Sequence, residues 1–170
     1  MKTHNHESIS DRTPKIIKWS DGCWRESDCD NSTTEEYINK AKKLMERSDI
    51  IVFVNLDPDG LPVAKAMLVA GSVNYTHLYF STNSSSKHVN QIKHNSVATL
   101  YMYDSETYEG LMLTGRAKIE KDSAWRKKIW QDSYAKYYSG VDDPDYCILR
   151  FDVDMCNYYH NATNVTFRME

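Results

Sequence analysis

The spacing of apolar residues changes along the chain and predicts three helices separated by strands. A capping-box pattern at residues 32–35 precedes apolar positions at helical spacing, so a first helix is expected to end near Arg47. A second helix is expected from about Ser84 to His94, and a long third one after Asp122. Elsewhere the apolar period is two, which predicts six strands at residues 50–54, 62–69, 77–81, 97–103, 111–120 and 146–153.

Turn-forming residues, such as those at 57–60, join several of these strands directly. Hairpin-linked antiparallel strands with few helices predict a mainly β (α+β) fold, a small six-stranded antiparallel barrel with helices at its ends. Residues 32–170 would form this domain. Residues 1–31 are polar and are expected to form a partly disordered arm, whose Trp19 and Trp24 dock on the domain or on a partner subunit.

Composition and charge exclude several functional classes. The 170 residues carry a net charge of −3, with no basic cluster of the kind that binds nucleic acid. No apolar run reaches the roughly 18 residues that a membrane-spanning helix needs. The first residues lack the apolar segment of a signal peptide, so a cytoplasmic location is expected.

The cysteines are expected to be reduced thiols rather than disulfides or metal ligands. In the cytoplasm, Cys23, Cys29, Cys147 and Cys156 would remain unpaired. Cys23 and Cys29 could hold zinc with the histidines at positions 4 and 6, but five intervening residues is not a usual zinc spacing. We therefore predict no metal site.

The segment from Leu78 to Lys87 has a composition that suits an anion. An apolar strand ends in a hydroxyl-rich turn, and a helix opens with Lys87 in its first turn, where backbone N–H groups and the helix dipole favour negative charge. The alternative is an ordinary helix cap, since Ser and Asn are common capping residues. His88 and His94 on this helix are expected at the surface.

A second lysine, in the middle of a strand, bears on the same question. If the strands at 62–69 and 77–82 pair as a hairpin, Lys65 lies across from the end of its partner and could reach the same phosphate as Lys87. The hydroxyls of Ser81, Thr82 and Ser86 would join them. The alternative is that Lys65 is an ordinary strand residue pointing outward.

These segments resemble the FMN-binding split-barrel family, which includes pyridoxamine 5′-phosphate oxidases and general stress flavoproteins. The resemblance lies in the basic residue before Met67, in residues 79–83 and in Ser86-Lys87, and it continues through residues 95–97, 113–117 and 140–146. It covers roughly residues 34–160 and is closest to the small general-stress and nitroimidazole-resistance-like branch.

The resemblance implies a split β-barrel homodimer with two FMN sites at the subunit interface. Lys65, Ser86 and Lys87 would hold the phosphate with Ser81 and Thr82, while the backbone of Ala66, Met67 and Leu68 would run along the flavin ring near Phe80. The partner subunit would contribute from the regions of Glu109, Tyr158 and Tyr159.

The resemblance also implies an oxidoreductase that passes electrons from a reduced nicotinamide to a small-molecule acceptor. Residues 157–160 do not reproduce the substrate-binding Arg and His of true pyridoxamine phosphate oxidases, which argues against vitamin B6 oxidation. Lys65 replaces a frequent Arg and would lose a bidentate phosphate contact. No catalytic side chain is predicted. The alternative is a non-enzymatic module that stores or senses flavin or haem, with His160 as a candidate haem ligand.

Overall fold

Antiparallel strands are the main secondary structure of residues 13–169, the part of the chain that this computed structural model describes. Three helices interrupt them: α1 (Asn31–Arg47), α2 (Lys87–His94) and α3 (Ser123–Ile129). A single 3₁₀ turn follows α3. The strands are β1 (Lys15–Ser20), β2 (Cys23–Asp28), β3 (Ile50–Leu56), β4 (Pro62–Leu68), β5 (Gly71–Val73), β6 (His77–Asn83), β7 (Val97–Asp104), β8 (Glu109–Ile119), β9 (Tyr146–His160) and β10 (Thr163–Phe167).

The strands form one antiparallel sheet in the order β2-β1-β10-β9-β8-β7-β3-β4, and β6 pairs with β9 and β5. The predicted mainly β (α+β) class is therefore confirmed. The predicted count of six strands is wrong, because the described residues form ten. Two of the four additional strands gave no alternating apolar signal: β2 is exposed along its whole length, and β5 has only three residues.

Part of the predicted arm joins this sheet. Residues 15–28 fold as the hairpin β1–β2, and β1 pairs with β10 through Ile16 and Val165. Trp19 and Trp24 pack on each other with ring centroids 5.4 Å apart, and both remain half exposed. The division of the chain at residue 31 stays a prediction, and residues 1–12 lie outside the described part.

The predicted pairing of residues 62–69 with 77–82 is wrong. β4 pairs instead with β3, with Lys65 opposite Phe53, and β6 pairs with β9, with Phe80 opposite Leu149. The connection between β4 and β6 forms its own short ladder, in which Gly71 of β5 lies opposite the middle of β6. This ladder occupies one edge of β6, and β9 takes the other.

The helices confirm three expected positions but correct two details. Asp30, rather than the predicted capping box, caps α1, since its carboxylate accepts a 2.8 Å bond from the Thr33 N–H. Asp122 caps α3 as predicted. However, α3 is short, because Trp130 has a non-helical backbone conformation (φ −56°, ψ 133°) and packs edge-on against Tyr146. The predicted long helix is thus divided by an aromatic contact.

The core lies between the curved sheet, α1 and α2. Fully buried phenylalanines stack edge to face at its centre, where Phe53 contacts both Phe80 and Phe151. A second cluster under α3 is built from tyrosines around Tyr146. Among residues 13–169, no helix combines the length and apolarity needed to cross a membrane.

One outer face of the sheet is apolar and exposed. Ile50 lies opposite Leu68 in the β3–β4 pair, and Tyr101 of β7 lies opposite Val52 on the other side of β3. Met112 of β8 continues the same row next to Tyr101. Because side chains alternate along a strand, all of these point away from the core. The exposed large apolar residues of this face include Ile50, Leu68, Val97, Tyr101 and Met112.

Candidate functional site

A cavity of about 300 Å³ lies where the start of α2 crosses β3 and β4. It contains both predicted lysines, Lys65 and Lys87, together with Ser86. They meet although β4 and β6 are not paired, because α2 packs across β3 and so carries its first turn to β4. The remaining lining residues are Asn55, Val63, Ala64, His88 and Gln91.

Lys65 enters this cavity because of its register on β4. It lies opposite Phe53, so its side chain leaves the strand on the side of the sheet that α2 covers. The residue is solvent-exposed, but its ammonium reaches 3.4 Å from Nδ1 of His88. The Lys65 side chain therefore points towards α2 and the cavity, and the alternative of an outward-facing strand residue is wrong.

The start of α2 leaves hydrogen-bond donors available. Ser86 is the N-cap residue by backbone conformation, yet its side chain makes no capping bond. Its hydroxyl lies instead 3.2 Å from Nδ1 of His88. The first N–H groups of a helix have no acceptor within the helix, and their dipoles favour an anion. The capping alternative thus does not account for Ser86.

His88 is buried, which corrects the expectation of a surface residue. It is 8% exposed, and its ring packs edge-on against Phe53, with centroids 6.2 Å apart. Burial, with a smaller contribution from the Lys65 ammonium, lowers the pKa of His88 to about 4, so the ring is neutral at pH 7. His94 is exposed, as expected.

The serine-rich turn before α2 already holds an anion, which is a side chain of the same protein. The Asp145 carboxylate accepts bonds from the Asn83 amide (2.7 Å), the Ser84 hydroxyl (2.9 Å) and the Ser85 N–H (2.8 Å). These bonds, of which that from Asn83 contributes most, hold the pKa of Asp145 far below its usual value. Ser84 and Ser85 therefore anchor the loop that precedes β9, and only Ser86 and Lys87 face the cavity.

Several predicted site residues do not line the cavity. Phe80, Thr82 and Met67 are buried in the protein interior, and Ser81 is half-buried on β6. Ala66 and Leu68 are exposed, together with the rest of the outer face of β4. Since β4 ends the sheet, one side of its backbone has no strand partner among residues 13–169.

Two buried amides complete the cavity wall and were not predicted. Asn55 donates a 3.0 Å bond to the side-chain oxygen of Gln91, which fixes α2 to β3. The sequence did contain a signal for the α2 wall: residues 88 and 91 share one helical face with buried Ile92. Asn55 carried no comparable signal, because a polar residue ends an apolar strand there.

A larger cavity of about 720 Å³ opens at the far end of the sheet, between the β7–β8 and β9–β10 turns. Tyrosines line it, among them Tyr101 and Tyr159, with Glu109 at its edge. Tyr158, also predicted to lie near a cofactor site, is instead buried and donates a hydrogen bond to Glu109. The turn residue Tyr108 lines the same cavity and is largely exposed.

Within residues 13–169, no three His, Cys, Asp or Glu side chains are placed to hold a metal ion. Cys23 is exposed and Cys29 is buried. The histidines at positions 4 and 6 lie outside the described residues, so the question of their pairing with these cysteines is untested.

Comparison with known proteins gives a family match over most of the chain. Residues 36–170 match the family described as pyridoxamine 5′-phosphate oxidase like. A Clostridium acetobutylicum protein related to general stress protein 26, of the pyridoxinephosphate oxidase family, is similar at 34% identity, with a TM-score of 0.72 over 79% of this chain and 96% of that one. A search of curated proteins finds no match.

Two more distant structures share the fold. An FMN-binding protein from Nostoc punctiforme, related to pyridoxamine 5′-phosphate oxidase, is 16% identical, with a TM-score of 0.51 over 79% of this chain and 87% of that one. A haem-binding protein from Mycobacterium smegmatis is 17% identical, with a TM-score of 0.61 over 72% of this chain and 53% of that one. The fold alone is therefore shared by proteins described with different cofactors.

Proposed function

Because the chain belongs to the pyridoxamine 5′-phosphate oxidase-like family, we propose that it binds FMN and acts as an oxidoreductase. The electron donor would be a reduced nicotinamide and the acceptor a small molecule other than a B6 vitamer. The observation that carries this proposal is the meeting of Lys65, Ser86 and Lys87 around one cavity at a helix start. Cytoplasmic location stays a prediction from the sequence.

The donor set of this cavity suits a phosphate monoester. Two ammonium groups, a serine hydroxyl and the first N–H groups of α2 are hydrogen-bond donors, and ionised partners strengthen such bonds about twofold. The Asp145 carboxylate accepts its hydrogen bonds from the turn before α2. It therefore does not neutralise the positive charge of Lys87. Lys65, Ser86 and Lys87 would therefore hold the FMN phosphate.

The flavin ring would extend from this cavity along the edge strand β4. There the main chain of Ala66, Met67 and Leu68 has no strand partner among the described residues and can hydrogen bond to a planar heterocycle. The bound FMN would supply hydride acceptance, while the protein would bind it, orient it and exclude water. Phe80, Ser81 and Thr82 would support the site from the core side of β6 rather than contact the phosphate.

We also propose that two copies form a homodimer with the cofactor sites between them. The exposed apolar face of β3, β4, β7 and β8 reaches the edge strand on which the ring would lie. Contiguous exposed apolar surface of this kind marks interaction sites in proteins. The tyrosine-lined cavity with Glu109 and Tyr159 would then be the surface that a partner presents to the cofactor.

A titration with FMN and with riboflavin, which lacks the phosphate, tests the phosphate site. Flavin fluorescence would show tight binding of FMN and weak binding of riboflavin to the unmodified protein. Replacing both lysines (K65A with K87A) should weaken FMN binding by roughly 100-fold or more, since each charged contact contributes a factor of at least about ten. Riboflavin binding should hardly change.

The control is K93A, a lysine on the last turn of the same helix, which does not line this cavity. It should bind FMN like the unmodified protein. Equal affinities of the double variant and the control for FMN would show that the phosphate lies elsewhere, and no flavin binding at all would refute the proposed function.

The nicotinamide step is tested separately. NADH or NADPH added anaerobically to the FMN complex should bleach the visible absorption of the oxidised flavin, because the reduced nicotinamide transfers a hydride to it. A complex that binds FMN but is never bleached would be a flavin-storing or flavin-sensing module. A haem Soret band in the purified protein would instead favour the haem alternative, for which His160, half-buried at the end of β9, is the candidate ligand.

A further inference from the structure

The imidazole of His88 occupies an unusual position in the wall of the cavity. Its Nδ1 lies 3.4 Å from the Lys65 ammonium and 3.2 Å from the Ser86 hydroxyl, so two of the three groups assigned to the phosphate converge on one nitrogen. The ring itself is packed against Phe53 in the core. It therefore cannot move without disturbing that packing.

The contact with Lys65 determines which nitrogen carries the proton. An ammonium has three donors and no acceptor, so Nδ1 must be the acceptor in this bond. A ring that accepts at Nδ1 and is neutral at pH 7 has its proton on Nε2. The chemistry of the lysine thus fixes the tautomer.

This tautomer has a cost. The Nε2 atom is buried, and no hydrogen-bond partner for it lies among residues 13–169. A buried donor without a partner loses its hydrogen bonds to water and gains none within the protein, which destabilises the folded state. An apolar side chain of similar size would avoid this cost, so the structure needs a separate reason for a histidine here.

We propose that His88 is a positioning residue whose Nδ1 lone pair holds Lys65, and through it the donor set of the cavity, in place for the FMN phosphate. Without this acceptor, the ammonium of an exposed lysine on an edge strand would sample many rotamers, and binding would have to order it. The inference rests on the proposed function, because it concerns the same phosphate site.

The hydrogen bonds balance when the phosphate is present. Nδ1 has one lone pair, which accepts one N–H of the Lys65 ammonium. The two other N–H groups of Lys65 can then donate to phosphate oxygens. The Ser86 hydroxyl then turns from Nδ1 to the phosphate, and Lys87 approaches from the same helix turn. His88 remains neutral and makes no direct contact with the phosphate.

Three variants test this role. H88L removes the acceptor and also the unpartnered Nε2–H, so its thermal stability should equal or exceed that of the unmodified protein. H88N keeps an acceptor, Oδ1, at the same number of bonds from Cβ as Nδ1. H94L alters an exposed histidine on the last turn of the same helix and is the matched control.

Dissociation constants for FMN and riboflavin would be measured for each by fluorescence titration at pH 7. We expect H88L to bind FMN at least about tenfold more weakly with unchanged riboflavin affinity, since a hydrogen bond to a charged group is involved. H88N should recover most of the FMN affinity, and H94L should match the unmodified protein.

Unchanged FMN affinity in H88L would overturn the proposal. So would a parallel loss for FMN and riboflavin, which would indicate a packing role, or an H88N variant as weak as H88L, which would show that the Nδ1 acceptor is not what matters. An unmodified protein that does not prefer FMN over riboflavin would give a different result, since it would refute the phosphate site itself rather than the role of His88.

Discussion

At the scale of single residues, the Asp145 carboxylate determines which residues of the turn before α2 are already hydrogen bonded within the protein. It accepts hydrogen bonds from Asn83, Ser84 and Ser85. Ser84 and Ser85 therefore hold the loop before β9, whereas the third serine of the turn faces the cavity. Because its pKa in the folded protein is far below the unfolded value, its contribution to stability is present above about pH 4 and is lost as the pH falls further.

We therefore expect D145N to lower the melting temperature by several degrees at pH 7. An amide in this position would present N–H groups to donors, leaving at least one of them unpaired. At pH 3, where Asp145 in the unfolded chain is largely protonated, the difference from the unmodified protein should be smaller. Thermal denaturation followed by circular dichroism at both pH values would measure it.

D142N, which alters an exposed neighbour in the same loop, is the control and should have little effect at either pH. A loss of stability in D145N that does not depend on pH would contradict the electrostatic explanation.

Only one part of this turn could be predicted from the sequence. Ser86 and Lys87 were identified because their types suit an anion, whereas Asp145 lies 60 positions from Ser85 and its approach depends on tertiary structure.

At the scale of elements, the β8–β9 pair forms the longest ladder of the sheet and contains a close approach between main chains. A Cβ added at Gly115 would lie 2.0 Å from the carbonyl oxygen of Asp152, at the point where the register shifts. The main chain at Asp152 cannot move aside as easily as the end of a side chain. G115A is therefore expected to reduce the free energy of unfolding by about 2 kcal/mol or more.

G71A provides the comparison, because a Cβ there would meet Cδ1 of Ile129 at 2.8 Å, the end of a flexible side chain that can move. Its expected cost is less than about 1 kcal/mol. Urea unfolding of both variants at one protein concentration would measure the difference. A loss for G115A as small as the one expected for G71A would show that β8 can shift relative to β9, and that the bulge does not require glycine.

Elements with a strong apolar period were predictable, and the departures arose from contacts between distant segments. The strands from β3 to β9, except for the short β5, followed the alternation in the sequence. The long helix after Asp122 did not form, because Trp130 leaves the helix to contact Tyr146, which is 16 positions away in a different element. Local periodicity cannot report such a contact.

At the scale of the whole molecule, the sheet has an exposed apolar face that no other part of the described chain covers. Tyr101 and Met112 lie side by side near its middle, and water would contact both in an isolated chain. A twofold axis through this face would bury it against its own copy, since an isologous interface uses the same patch on both subunits. The dimer and the cofactor site would then share the edge of β4.

The variant M112E places a charge in this face without altering a residue of the proposed phosphate site. Light scattering after size exclusion should give twice the chain mass of 19.8 kDa for the unmodified protein and a single chain mass for M112E. Because the ring would lie at the interface, M112E should also lose FMN affinity, although Lys65 and Lys87 are intact. Y137E, which alters an exposed tyrosine after α3, is the control and should remain dimeric. A dimeric M112E would exclude this face as the interface, and a monomeric M112E with full FMN affinity would mean that each chain forms its cofactor site alone.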